Sequence, residues 1–197
     1  MTADVSQPVE HDALILAGGR GTRLGGVDKA ALEVGGRSLL SRVLDGVRAA
    51  RRTVVVGAVD VPDGILRTVE VPQGGGPVAG IAAGLTVLGE GPGWTLVLAV
   101  DQPEAGQAVP ALLAVAAQAD AGVDLVCPAD ETGHPQWLLA AYRSVSLAHA
   151  LAPLGTGHDV SVRRLVKGLR MMELPSPHTG DIDTWDQHAA WQARLAE

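Results

Sequence analysis

The chain opens polar and then turns abruptly apolar. Met1 to His11 shows no hydrophobic period, carries Asp4 and Glu10, and is expected to be a flexible N-terminus. Asp12-Ala-Leu-Ile-Leu-Ala17 follows, a short apolar run bounded by glycines, as expected of a buried parallel strand. Gly18 to about Arg37 is rich in glycine and charge and reads as a loop. Ser38 is placed to cap a helix on which Leu39, Leu40, Val43, Leu44 and Val47 share one face, with Arg42, Arg48, Arg51 and Arg52 on its solvated side. Thr53–Val56 is a second strand ending at Gly57, and a weaker third is expected over Leu66–Glu70. The Gly/Pro segment from Pro72 to Pro77 leads into a helix over Val78–Leu88, with Val78, Ile81, Ala82 and Leu85 inward. Trp94–Val100 is the clearest strand, stopping at Asp101-Gln102-Pro103.

Beyond it the pattern predicts a helix near Val109–Ala119, a strand at Val123–Cys127, a turn at Asp130–Gly133 and a strand over Gln136–Tyr142. Short helices from Ser144 and Val160, a strand near Leu169–Leu174 and a helix from about Thr184 complete the chain. Strands alternating with helices over the first two-thirds indicate an α/β fold, with a mostly parallel sheet and helices on both faces. The last third reads as an α+β elaboration of the same sheet. One domain is expected from residue 12 to 197, and no internal repeat or low-complexity linker divides it.

Composition adjusts this picture in a few places. Hydrophobic residues make up 47% but aromatics only 3%, with no Phe, so Val, Leu and Ala must fill the core. The net charge of −7 argues against nucleic acid as the main partner, and no aromatic series is available to stack bases. A single cysteine, Cys127, excludes an intramolecular disulfide and fits a reducing compartment. The start does not read as a signal peptide, and no apolar run approaches the roughly 20 residues of a spanning helix. A cytoplasmic protein without a membrane partner is therefore expected.

Chemistry concentrates after the first strand, where ligands sit in such sheets. Gly18, Gly19 and Gly21 let backbone N–H groups approach an anion, and Arg20, Arg23 and Lys29 add three cations to the same loop. Lys29 is one of only two lysines against thirteen arginines, which favours a point-charge role toward phosphate. The loop is not a Walker A motif, because Lys29 lies between Asp28 and Ala30. Nor is it a dinucleotide fingerprint, because Leu24 stands where the third glycine belongs and the second strand ends in Gly57 instead of an acid.

Asp101 ends the most apolar strand at the same sheet edge, where it can ligate Mg²⁺ or simply form a turn. Gly74-Gly-Gly-Pro-Val-Ala-Gly80 opens a helix and suits either close ligand approach or tight packing through Gly80 and Gly84. On spacing alone, Asp183 or Thr184 reads as an ordinary helix N-cap.

Together these segments resemble the molybdenum cofactor guanylyltransferase family, within the nucleotidyltransferases built on a Rossmann-like sheet. The residues that carry the likeness are Leu16-Ala-Gly-Gly-x-x-x-Arg-Leu-Gly-Gly-x-Asp-Lys29, Gly76-Pro-Val-Ala-Gly80, Val100-Asp-Gln-Pro103, Gly133-His-Pro135 and Asp181-Ile-Asp-Thr184. It spans about residues 12 to 195 and implies a nucleotide-binding part over 12–104 and an acceptor-side part over 105–197. The implied reaction joins GTP to molybdopterin and releases pyrophosphate, with transient contact with molybdenum cofactor enzymes. It implies Leu16, Ala17, Gly18, Gly19, Gly21, Lys29, Glu70, Gly76, Pro77 and Gly80 around the nucleotide, and Arg23 and Lys29 at the phosphates. Asp101 and Asp183 would hold Mg²⁺, and His134 would lie on the acceptor side, although a lone turn histidine is equally a solvated one.

Two departures stand out. The acid expected before the second loop is replaced by Val71, with Glu70 adjacent, and either the register slips or the contact is lost. Asp181-Ile-Asp-Thr stands where guanylyl enzymes begin with asparagines and is closer to cytidylyl relatives. Cytidylyl, phospholactate guanylyl and sugar-phosphate enzymes remain alternatives, as does a nucleotide-binding protein without catalysis.

Overall fold

The computed structural model describes residues 9–19, 24–176 and 178–195. Its centre is a seven-stranded sheet in the order β5-β4-β1-β6-β8-β7-β9. The strands are β1 (His11–Leu16), β4 (Thr53–Val56), β5 (Leu66–Thr68), β6 (Trp94–Ala99), β7 (Leu125–Ala129), β8 (Leu139–Arg143) and β9 (Met171–Pro175). β1 pairs in parallel with β4 and β6, β4 with β5, and β7 with β9, whereas β8 runs antiparallel to both β6 and β7. The expected mostly parallel sheet is thus present, with β8 as its one reversed strand. Helices connect β1 to β4, β5 to β6 and β6 to β7, residues 57–65 join the parallel pair β4 and β5 without a helix, and the short connection through 130–138 makes β7 and β8 antiparallel.

Helices cover both faces. On one lie α1 (Leu39–Gly46), α3 (Ala105–Gln118) and α6 (Trp185–Arg194), whose Leu39, Val43, Leu112 and Trp191 join Ile15, Leu96 and Leu98 of the sheet. On the other, α2 (Pro77–Leu88), α4 (Ser144–Leu151) and α5 (Val162–Leu165) pack through Val78, Ile81, Leu147 and Leu165 onto Leu14, Val56 and Tyr142. Ser38 caps α1 as expected, its hydroxyl accepting from Ser41 N at 3.2 Å.

Several elements differ from the sequence reading. The segment before Ser38 contains a hairpin, β2 (Glu33–Val34) and β3 (Arg37–Ser38), turned by Gly35 and Gly36 at φ 58° and 69°. Two successive positive φ angles make the primed turn that hairpins favour, and only glycine reaches it without strain. α3 begins at Ala105, ahead of the expected Val109, and carries Pro110 inside it. A proline there forfeits one helix bond, yet Val109, Leu112 and Ala116 remain buried and hold the helix down. β8 starts at Leu139, because Gln136 and Trp137 belong to the preceding turn.

α2 faces the sheet through Gly80 and Gly84, with Ala82 and Leu85 only half-buried. A Cβ on Gly84 would come within 2.5 Å of Leu14 Cδ1, and one on Gly80 within 2.8 Å of Leu16 Cδ2. Their absence sets how closely α2 lies on β1. Glycine also sets the crossing of α1 and α3, where a Cβ on Gly46 would fall 2.2 Å from Gly106 Cα. Backbone atoms cannot swing aside, so Gly46→Ala should force the helices apart and cost about 1–3 kcal/mol of stability. A urea melt reads this directly, and an unchanged midpoint would show that the crossing yields freely.

Candidate active site

A cleft of about 1010 Å³ opens at the carboxyl ends of β1, β4, β5 and β6, the edge where open α/β sheets bind ligands. Its floor is Leu16, Ala17, Gly18 and Gly19 leaving β1. The β1 ladder reaches right to it, since Ala17 N donates to Val56 O at 2.9 Å and Val100 N to Leu16 O at 3.0 Å. Gly57 permits this closeness, because a Cβ there would lie 2.9 Å from the Ala17 carbonyl carbon and 3.0 Å from Gly18 N. One wall is the second glycine loop, with Gly74, Gly76, Pro77 and Gly80 all lining the cleft. Gly76 is the N-cap of α2, and no side chain caps that end, so the positive end of the helix is left for a ligand.

Three charged groups meet opposite. Lys29 Nζ donates to Asp101 Oδ2 at 3.0 Å and to Asp183 Oδ1 at 2.6 Å. Each arrives from a different part of the chain. Asp28 Oδ1 accepts from Ala30 N at 2.9 Å, a local turn that carries Lys29. Asp101 follows β6, and Ile182 N donates to Asp101 O at 2.9 Å, which brings Asp183 alongside. Thr184 is the N-cap of α6, in a capping box with Gln187, and Gln187 Oε1 also accepts from Asp183 N at 2.8 Å. The capping role expected of Asp183 or Thr184 therefore falls to Thr184, and the Asp183 side chain is turned to Lys29. Burial opposes the Lys29 charge, but the hydrogen bonds and charges of Asp183 and Asp101 outweigh it and hold its pKa above the ordinary lysine value.

The docking of α6 explains how so late a segment reaches the cleft. Gly35 N donates to Gln192 Oε1 at 2.9 Å, and Glu33 O accepts from Gln192 Nε2 at 3.0 Å, so the β2–β3 hairpin holds the helix. At the other side the buried Glu104 carboxylate accepts from Arg194 Nη2 at 3.0 Å and lies 2.9 Å from His178 Nδ1. Trp191 Nε1 reaches Asp181 O at 3.3 Å, pinning the turn between them.

Of the residues singled out from the sequence, Leu16, Ala17, Gly18, Gly19, Lys29, Glu70, Gly76, Pro77, Gly80, Asp101 and Asp183 all line the cleft. Arg20, Gly21 and Arg23 lie outside the described residues. Val71 is 82% exposed, whereas the adjacent Glu70 lines the cleft, its Oε1 accepting from Gly74 N at 2.9 Å. His134 is not among the lining residues. It sits in the exposed turn after β7, with Nδ1 2.7 Å from Thr132 Oγ1 and its backbone N on Asp130 Oδ1 at 3.0 Å.

The sequence reading missed three contributors. Gln73 and the stretch Gly57–Val59 line the cleft but carry no motif. The loop at 157–159 backs the second glycine loop: Asp159 N donates to Gly75 O at 2.9 Å, and a Cβ on Gly75 would meet His158 Nδ1 at 2.4 Å. The one readable signal there was the pair of glycines 155 and 157 flanking Thr156. Asp159 itself takes φ 55°, the only positive value outside glycine among the described residues.

Fold and cleft together are those of the Rossmann-like nucleotidyltransferase class. Solved structures agree on the fold: molybdopterin-guanine dinucleotide biosynthesis protein A from Archaeoglobus fulgidus superposes with a TM-score of 0.71 at 21% identity, over 94% of this chain and 98% of that one. A 2-C-methyl-D-erythritol 4-phosphate cytidylyltransferase from Thermus thermophilus gives 0.70 at 19% identity, over 96% and 100%. The family model for the MobA-like NTP transferase domain matches residues 13–173, and the chain belongs to that family. A molybdenum cofactor guanylyltransferase from Acidiphilium cryptum is 38% identical over 112 residues, 53% of this chain and 57% of that protein. One from Rhodopseudomonas palustris is 38% identical over 92 residues, 44% and 43% of the two chains. The chain thus spans about half the length of the curated relatives it matches.

The Gly57 contact offers a test of how the cleft floor is held. Gly57→Ala would press on backbone atoms of Ala17 and Gly18, so it should cost about 1–3 kcal/mol and displace the first loop. Hydrogen exchange at Gly18 and Gly19 should quicken, and unaltered exchange would show that the two loops are independent.

Proposed function

We propose that the chain transfers a guanylyl group from GTP to the terminal phosphate of molybdopterin and releases pyrophosphate. The convergence of Lys29, Asp101 and Asp183 beside the first glycine loop is the observation that supports it most. The acceptor phosphate is already ionised at neutral pH, so its oxygen needs no general base to attack the α-phosphorus. A new P–O bond forms in line as the α–β bridging P–O bond breaks, and the electron pair leaves with pyrophosphate. Catalysis is then a matter of positioning and charge.

In this reading the backbone of Gly18, Gly19 and Gly21 cradles the phosphates, and Lys29, with Arg23, neutralises charge on the α-phosphate and the departing group. Glu70, Gly76, Pro77 and Gly80 border the nucleoside, and the uncapped α2 N-terminus adds a favourable dipole. Asp101 and Asp183 offer the hard oxygen ligands that Mg²⁺ takes in ones and twos, leaving its other positions for water and phosphate. Two carboxylates meeting on one cation fit that demand. Bound there, Mg²⁺ would neutralise phosphate charge as a Lewis acid.

Guanine is favoured by Glu70. A carboxylate on the cleft wall is an acceptor-only group, suited to the paired N1–H and N2–H donors of guanine. The second reading, a cytidylyl enzyme, draws on Asp181-Ile-Asp-Thr184, where acids stand in place of asparagines. Thermal stabilisation by GTP, CTP, ATP and UTP, each with and without Mg²⁺, separates the two. A ligand at 100 times its dissociation constant adds about 2.7 kcal/mol, visible as a melting shift. A shift confined to GTP supports the guanylyl reading, one confined to CTP replaces it, and none at all removes the nucleotide-binding premise.

Pyrophosphate release then tests the chemistry. Lys29→Ala should keep the fold and lower turnover by about 10²–10³, the loss typical of one preorganised charge-stabilising donor. Turnover near that of the unaltered protein would take Lys29 out of the reaction. Nucleotide-induced stabilisation without any pyrophosphate release would leave a binding protein in place of an enzyme.

A further inference from the structure

We propose that Lys29 is the resident counter-ion of the divalent-cation site: it occupies the position between Asp101 and Asp183 while no nucleotide is bound, and yields it when nucleotide and cation arrive together. The inference rests on the assignment of those two carboxylates to the metal made above. Its basis is geometric. Lys29 Nζ lies 3.0 Å from Asp101 Oδ2 and 2.6 Å from Asp183 Oδ1, so one ammonium bridges both ligands. The backbones that carry the two carboxylates are held independently of it, by the Ile182 N to Asp101 O bond and by the bond from Asp183 N to Gln187 Oε1. The two segments therefore stay side by side whichever cation sits between their carboxylates.

The bridging ammonium is the most enclosed of the three groups, with 15% of its side chain exposed against 29% for Asp101 and 40% for Asp183. A divalent ion approaching from the cleft meets carboxylate oxygens already engaged by a positive charge a few ångströms behind them. Two cations at that separation repel, and the carboxylates cannot serve both at full strength. A polyphosphate changes the balance, since it offers Lys29 a second set of anionic oxygens and brings a cation of its own. Lys29 thus has two alternative partners, and the exchange between them couples metal binding to nucleotide binding. The free protein should hold a divalent ion weakly, and the metal–nucleotide complex should be the species that enters.

The test is a titration with Mn²⁺ alone, followed by the electron paramagnetic resonance of the unbound ion, on folded protein with no nucleotide present. Lys29→Met, which keeps the aliphatic stem, should bind Mn²⁺ about tenfold more tightly than the unaltered chain, the effect of removing one partly screened like charge. Lys29→Gln should do the same, which separates charge from hydrogen bonding, whereas Lys29→Arg should stay weak. The gain should vanish when Asp101→Asn is added to Lys29→Met. Equal or weaker Mn²⁺ binding by both neutral variants would overturn the proposal, as would a gain that survives the loss of Asp101. Because no nucleotide or acceptor enters the titration, a tenfold gain in a protein that transfers no nucleotidyl group would retain this inference and remove the proposed reaction.

Discussion

Strand β1 has no solvent face, and most of the molecule follows from accommodating it. All six of its residues are buried, so polar groups on it need local partners; His11 Nδ1 pairs with Val9 O at 2.7 Å, whereas its Nε2 has no partner among the described residues. Asp12 is the extreme case, with its side chain 1% exposed and both carboxylate oxygens engaged by Arg51, at 3.1 and 3.0 Å, while Arg52 N adds a bond at 3.1 Å. That pairing fixes the entry into β4, the neighbour with which β1 then runs in register from Ala13 to Leu16. On the α2 face, Leu14 and Leu16 project so far that only glycine fits above them, at Gly84 and Gly80. A helix brought so close to the sheet delivers its N-terminus to the cleft. Past the end of the strand no such side chain follows, and the change from Leu16 to Ala17-Gly18-Gly19 is where packing gives way to the floor of the cleft.

The C-terminal segment solves a different problem, that of placing a carboxylate beside Asp101 from a position 82 residues later in the chain. Packing and capping share the task. Trp191 is buried in the core, Gly180 passes close under its ring, and the capping box at Thr184 fixes the first turn of α6. The β2–β3 hairpin and the buried Glu104 then hold the helix from two sides. Since Glu104 begins α3 directly after the Asp101 strand end, the same short stretch supplies one carboxylate to the cleft and another to the clasp.

How far the sequence disclosed this depends on range. Signals of local origin were readable: the apolar run of β1, the Ser38 cap, the strand ending at Asp101 and the glycines of the first loop. The missed hairpin was also local, since Gly35-Gly36 between short polar–apolar pairs is a turn signature, but it was hidden within a longer glycine-rich segment. α3 was misplaced at its start because Pro110 carries a strong local penalty that burial of Val109 and Leu112 overrides. Long-range facts left no trace in any window. The meeting of Asp183 with Lys29, the support of Gly75 by residues 157–159, and the choice of Glu70 over Val71 all depend on how distant segments are carried. For Asp183 the local pattern pointed elsewhere, to a helix cap that its neighbour Thr184 in fact provides.

The charge on the cleft follows from the same placement and limits what can bind there. Among the described lining residues, Asp28, Glu70, Asp101 and Asp183 face a single ammonium, that of Lys29. Arg20 and Arg23 of the same first loop lie outside the described residues, so the described lining holds only part of the positive charge that the loop carries. The glycine-loop N–H groups and the α2 dipole add neutral contributions that orient an anion. Asp28 is turned to Ala30 N and Glu70 to Gly74 N, whereas Asp101 and Asp183 both meet Lys29. Carboxylates gathered from two distant segments onto one ammonium make the charge of the cleft a consequence of how α6 is docked.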